Sequence, residues 1–333
     1  MRTRSDLMTR RAFARTAAAG LAIGVGALQS GVAQSHAAEP DAESRSKPAR
    51  RLRILILGGT HFVGPAVVRE ALARNHDVTL FNRGKTHPEL FPGIEKLRGN
   101  RYPEKENGLK ALEGTSTWDA VIDIPAYYPR IVDATARLLA ERVAHYVVMS
   151  SISAYADFKT VGLSEESPVR PLGEKFPENE TLVEDDWSTY GGRKAACERA
   201  AANIFPERWA AVRASGIIGG SADDNAMYWP ARIARGGDIV APGDGTDPYQ
   251  SVDVRDVARL LIEVVERRLV GVFNATGPAR PATFKEYLEA CMQATGSTPA
   301  IHWLPRAEME RFTVMPAETP QWAPSWRVPG FAR

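Results

Sequence analysis

The sequence predicts an α/β protein built on a doubly wound parallel sheet, with a smaller C-terminal lobe. Three observations carry that expectation. Short apolar runs alternate with stretches of helical spacing from Arg53 to about Ser215, the rhythm of right-handed βαβ units. The turn after the first run, "GGTHFVG" at Gly58–Gly64, bears glycines where a strand passes into a helix. The 333 residues are 44% hydrophobic, with 42 basic and 40 acidic side chains. That composition supports one full core and is far from that of a disordered chain.

The first 37 residues read separately. They open with five arginines, place Phe13 after Arg10-Arg11, and continue from Ala17 into an uncharged Ala/Gly-rich run. The run is short for a bilayer span. Ser35-His36-Ala37 supplies small residues for a cut after Ala37 or one residue later. This is the pattern of a twin-arginine export signal, so the sequence predicts export in a folded state, with membrane contact only in transit. Residues 1–37 hold five arginines and one aspartate, so the remainder carries 37 basic and 39 acidic residues. The mature part has no basic footprint for nucleic acid, and none is expected as a partner. Residues 38–51 read as a polar linker.

Each element then follows in order. "RILIL" is an apolar run suited to a buried parallel strand, and residues 65–74 have helical spacing. "DVTLFN", "IEKLRG" and "WDAVIDI" read as the second, third and fourth strands. A helix over about 130–141 leads to "AHYVVMSS", the fifth. "STYGGRKAACERAAANI" is a long helix and "WAAVRAS" the sixth strand. These elements make up a nucleotide-binding core over 52–216. From Ile217 the rhythm breaks into loop-rich sequence, with helices near 226–235, 254–267 and 283–295, a short strand "GVFNAT", and "AIHWL". Residues 217–333 are therefore expected to form a substrate lobe and tail over the carboxyl edge of the sheet, where ligands bind in such folds.

The glycine turn is the first candidate site. In a dinucleotide fingerprint the three glycines allow a tight turn, close approach of a pyrophosphate, and close packing of helix on strand. Gly59, His61 and Gly64 fill those places, so only the middle one departs, and a side chain at His61 fits if it points away from the phosphates. Gly58, Gly59, Thr60, His61, Phe62, Val63 and Gly64 are the expected phosphate cradle, at a helix N-terminus whose free N–H groups favour an anion. At the end of the second strand, where NAD enzymes usually offer a carboxylate, the chain has Asn82, Arg83, Gly84 and Lys85. Arginine and lysine there suit a 2′-phosphate, favouring NADP over NAD.

The second is "YGGRK". Tyr190 and Lys194 lie four apart and share a helix face. A phenol titrates near pH 10, too high for a base at neutral pH, and a neighbouring ammonium favours the phenolate. Lys194 could also hold the nicotinamide ribose. Tyr190 would exchange a proton with a substrate hydroxyl or carbonyl as hydride moves. "MSSISAY" ends the fifth strand with the hydroxyl needed to fix the substrate oxygen. The six histidines do not cluster, neither Cys197 nor Cys291 sits in metal-ligand spacing, and no metal is expected.

Taken together, "GGTHFVG", "WDAVIDIPAY", "VVMSSISAY", "YGGRK", "SVDVRDVA" and "GVFNATG" resemble the short-chain dehydrogenase/reductase superfamily in its extended or atypical epimerase/dehydratase branch, over about Arg53 to Pro278. The resemblance implies a Rossmann fold, an NAD(P) cofactor, Tyr190 and Lys194 as the catalytic pair, and Ser151 as the catalytic serine with Ser153 as fallback. Ile152 and Ser153 stand where dehydratases of the branch carry an acid pair, and Tyr249 stands near where nucleotide-sugar enzymes carry a diphosphate-binding arginine. Sugar dehydration and a nucleotide-sugar substrate are therefore disfavoured. Trp187 and Trp229 are candidates to stack on a sugar ring, and Arg213 to contact substrate. The expected function is an exported NAD(P)-dependent oxidoreductase or epimerase acting on a small, sugar-like alcohol or carbonyl. Two alternatives stand beside it: a non-catalytic dinucleotide- or RNA-binding protein on the same scaffold, and a ketone reductase similar to isoflavone reductases. Similar enzymes commonly form homodimers through helices flanking the sheet.

Overall fold

A computed structural model describes residues 50–158, 160–172, 189–219, 228–278, 280, 282–305 and 308. The segment expected to be an export signal, most of the acidic stretch before Tyr190, and Trp187 lie outside the described residues. Among the described residues no helix is long and apolar enough to cross a membrane.

The core opens with β1 (Arg53–Leu57), α1 (Gly64–Ala73), β2 (Asp77–Asn82) and β3 (Glu95–Arg98). It continues with β4 (Ala120–Asp123), α2 (Pro129–Leu139), β5 (Tyr146–Ser151), α3 (Tyr190–Ile204) and β6 (Trp209–Ala214). After that come β7 (Gly216–Ile218), α4 (Tyr228–Ala234), β8 (Ile239–Pro242), β9 (Pro248–Tyr249) and β10 (Ser251–Asp253). The last elements are α5 (Val254–Glu266), β11 (Gly271–Ala275), β12 (Ala282–Thr283), α6 (Phe284–Thr295) and β13 (Ile301–Leu304).

Seven strands make one parallel sheet in the order β11-β6-β5-β4-β1-β2-β3. Alternate residues of each central strand feed two cores. Ile54, Ile56, Leu80, Ile122 and Val147 pack on one face with Val67 and Val68 of α1 and Val257 and Leu261 of α5. Leu55, Leu57, Phe81, Val121 and Val148 pack on the other with Val132 and Leu139 of α2 and Cys197 and Ala201 of α3. A strand buried on both sides has no polar face, which is why these runs read as continuously apolar.

The sequence places "GVFNAT" in the C-terminal lobe. The structure instead adds it to the main sheet as β11, with Val272 beside Ala211 and Phe273 beside Val212. The helix before it, α5, covers the sheet face shared with α1. The lobe is thus interrupted: its own core is Trp229, Ile233, Ile239, Ala241, Phe284, Leu288 and Cys291, from α4, β8 and α6. The strand order reverses between β1 and β4, so the crevice outside their carboxyl ends is the topological switch point where α/β sheets bind ligands.

Candidate active site

Two adjoining cavities open along that edge. The larger, about 470 Å³, lies over the glycine turn, the ends of β2 and β3, and the turn after β4. The smaller, about 170 Å³, holds Ser151, Tyr190 and Lys194 together with Ser150, Met149 and Ser215. The residues predicted apart in sequence as cofactor cradle and proton-transfer site therefore fall into neighbouring compartments.

The cradle is built by close packing. Gly58 and Gly59 take left-handed φ angles of 98° and 91°. A Cβ on Gly64 would sit 2.6 Å from the Gly59 backbone, so only glycine lets α1 start against the turn. Pro65 fits the first turn of α1, which carries no acidic residue to neutralise its positive end. His61 is exposed, as the tolerance of a side chain there requires. Thr60, by contrast, is buried. Phe62, at φ 51°, turns its ring towards the junction of the two cavities, which it lines on both sides.

Asn82 lines the cleft, but its side chain serves the turn: Nδ2 donates to the Gly58 carbonyl (3.0 Å), and Oδ1 accepts from the Gly84 N–H (3.0 Å) and from Arg98. Arg83 and Lys85 are exposed on the cleft wall, Lys85 in a solvent-exposed pair with Glu106 (2.6 Å). Such a pair is worth little and exchanges readily for another anion. Among the described residues none that lines the larger cavity is acidic, whereas Arg83, Lys85 and Arg101 are basic. Arg101 and Arg98 were not anticipated. Arg101 is bidentate to the fully buried Asp123, with Nη2 at 2.8 Å, and Tyr146 donates to the same carboxylate at 2.7 Å. The Asp123 carboxylate overcomes the burial that opposes charge on Arg101 and keeps the guanidinium protonated. The local signal for Arg101 is its place just past β3, at the carboxyl edge.

In the smaller cavity, Ser151 ends β5 and accepts from the Ser153 N–H (3.1 Å), turning the chain sharply upward. Ser151 also shares a hydrogen bond with the Tyr190 phenol. Tyr190 begins α3, and Gly191 and Gly192 let that first turn close on its neighbours: a Cβ on Gly191 would lie 2.0 Å from the Ser153 carbonyl oxygen. Lys194 is buried and donates to the carbonyls of Ala126 (2.9 Å) and Met149 (2.7 Å). Its ammonium has three hydrogens, so one remains for a ligand hydroxyl.

The expected lowering of the Tyr190 pKa by Lys194 does not occur. Burial dominates and pushes the phenol above its usual range, opposed by the Ser151 hydrogen bond and the charge of Arg193. The Lys194 ammonium is 6.0 Å from the Tyr190 ring centre and closer, 5.0 Å, to that of Tyr127. Its hydrogens are turned towards main-chain carbonyls, and burial pushes its own pKa down.

Three residues expected to contact substrate, Arg213, Trp229 and Ser153, line neither cavity. Arg213 is buried and donates bidentately to Glu198 (2.9 and 2.6 Å), which also accepts from Ser150; its guanidinium lies 4.6 Å from the Tyr155 ring centre. A buried charge with a complete partner set is structural: removing one member of such a pair costs about 3–5 kcal/mol. Trp229 packs edge-on against Tyr228 and Phe284 inside the lobe core and lines neither cavity. Ser153 contributes its N–H to Ser151 and also lines neither cavity.

A parallel sheet that turns through glycines into a helix at its switch point defines a Rossmann-type nucleotide-binding protein. More narrowly, the chain belongs to the NAD dependent epimerase/dehydratase family, which matches residues 54–275. It is 29% identical over 280 residues to the 2′-dehydrokanamycin reductase of Streptomyces kanamyceticus, spanning 81% of this chain and 75% of that one. The fold matches UDP-N-acetylglucosamine 4-epimerase from Bacillus cereus, with a TM-score of 0.60 at 17% identity over 76% of this chain and 88% of that one. It also matches human epimerase family protein SDR39U1 with NADPH, with a TM-score of 0.53 at 22% identity over 78% and 85% of the two chains.

Proposed function

We propose that this protein is an NADPH-dependent reductase of a ketone on a small, oxygen-rich ring, with Tyr190 as proton donor. The observation that carries the reading is the joint placement of Ser151, Tyr190 and Lys194 in a chamber that adjoins a cleft lined by bases and no acids. The cleft suits a dinucleotide bearing an extra phosphate: its volume falls within the roughly 300–1,000 Å³ of small-molecule sites, and Gly58 and Gly59 of the turn line it. The turn Gly58–Gly64 would hold the pyrophosphate, Arg83 and Lys85 the 2′-phosphate, and Lys194 a ribose hydroxyl. When bound, the nicotinamide supplies hydride to the substrate's carbonyl carbon.

The remaining steps belong to the chain. Ser151 fixes the carbonyl oxygen. Tyr190 gives that oxygen its proton, completing a secondary alcohol, and the phenolate left behind recovers a proton from solvent. A phenol held above its usual pKa stays protonated at neutral pH, the form that carbonyl reduction requires. The name of the Streptomyces kanamyceticus relative, 2′-dehydrokanamycin reductase, supports a reductive reaction. The N-terminal segment supports export by the twin-arginine route, which carries folded, cofactor-loaded proteins.

A panel of cyclic keto-sugars, scored by loss of NADPH absorbance, tests the reading. Tyr190→Phe is expected to lower kcat by about 10²-fold or more while leaving the NADPH dissociation constant within about twofold. A Tyr190→Phe variant that turns over a confirmed substrate at the wild-type rate contradicts it.

A further inference from the structure

Three residues line both cavities: Phe62, Ile124 and Tyr127. They surround the passage that joins them. Tyr127 follows β4 and is 46% exposed, a large aromatic side chain left open at the carboxyl edge. Its ring centre is 5.0 Å from the Lys194 ammonium and 6.4 Å from the Tyr190 ring centre. Tyr190 itself lines the smaller cavity alone. Opposite Tyr127, Phe62 holds a left-handed backbone that a bulky residue rarely adopts, the kind of local strain that persists at ligand clamps.

We propose that Tyr127 is the closing wall for the nicotinamide riboside half of the dinucleotide, a positioning residue that packs on it as it passes from the glycine turn into the Tyr190 chamber. The proposal rests on the dinucleotide reading above. A molecule whose pyrophosphate lies on Gly58–Gly64 and whose far end reaches Tyr190 must cross this passage. The passage offers aromatic and aliphatic side chains, whereas the adenosine end meets Arg83, Lys85 and Arg101. Tyr127 should therefore act on one half of the ligand and not on the other. Its contact with Lys194 adds a second effect: the ring keeps the ammonium beside the chamber, where its third hydrogen serves a ribose hydroxyl.

The test compares two probes, NADPH and adenosine 2′,5′-bisphosphate, which keeps the adenosine half and lacks the nicotinamide half. Titrations of the full chain by calorimetry use wild type, Tyr127→Phe and Tyr127→Leu. Tyr127→Leu is expected to weaken NADPH by about tenfold and leave the bisphosphate within about twofold, and Tyr127→Phe to retain wild-type affinity for both. An equal loss for both probes assigns Tyr127 to the general shape of the cleft and overturns the proposal, as does unchanged NADPH binding in Tyr127→Leu. Wild-type protein that binds neither probe overturns the cofactor reading itself, a result distinct from failure of the Tyr127 assignment alone.

Discussion

Tyr190 has two opposing influences on its proton. Burial holds the proton on, while the Ser151 hydrogen bond and the Arg193 charge pull it off, and burial prevails. In the proposed carbonyl reduction the protonated phenol is the active form. It is present below its pKa and lost as pH rises through that value. Since the value lies above the ordinary phenol range, kcat/KM for reduction should stay flat through neutral pH and fall only under strongly alkaline conditions. A pH–rate profile with a fall centred near neutrality would show that another group supplies the proton. Arg213 illustrates the limit of reading one residue at a time. An arginine at a strand end has the same sequence signature whether it meets a ligand or a carboxylate, and Glu198, fifteen residues earlier on α3, becomes its partner only when helix and sheet pack.

At the scale of elements, the site depends on how tightly the first turn of α3 closes on the end of β5. The glycines of "YGGRK" carry a signal that the tyrosine–lysine spacing alone does not: the nearest atoms packed against them are main-chain carbonyl oxygens, of Ser153 and Pro171. Gly191→Ala should therefore lower stability by about 1–3 kcal/mol, read from the denaturation midpoint, and reduce turnover more than NADPH affinity, because Tyr190 moves relative to Ser151. An alanine variant with unchanged stability and rate would show that the close approach is not needed. The central strands and α1, α2, α5 and α6 are legible because apolar runs and helical spacing persist over their length. β11 is legible as a strand and misplaced as a neighbour, since strand order is set by long-range pairing that a local pattern does not record. Tyr127 and Arg101 are illegible for the same reason: each lies on a turn at the carboxyl edge, where chemistry is assembled from several strands and no fixed spacing announces it.

For the whole molecule, charge distribution matters more than net charge. Beyond residue 37 the chain is close to neutral, while the larger of the two cavities at the carboxyl edge is lined by bases and, among the described residues, by no acid. Strand order places the glycine turn and the turn after β4 on opposite sides of the switch point, with Tyr190, the proposed proton donor, one compartment further along the edge. The central claim is that this arrangement receives an NADP-type dinucleotide. The measurement that tests it most directly is calorimetric titration of the full chain with NADPH and with NADH. The account predicts that NADPH binds more tightly by about tenfold or more, and that replacing Arg83 and Lys85 together by alanine removes the preference. Binding of neither dinucleotide, or an NADH preference that the double replacement leaves unchanged, would contradict it.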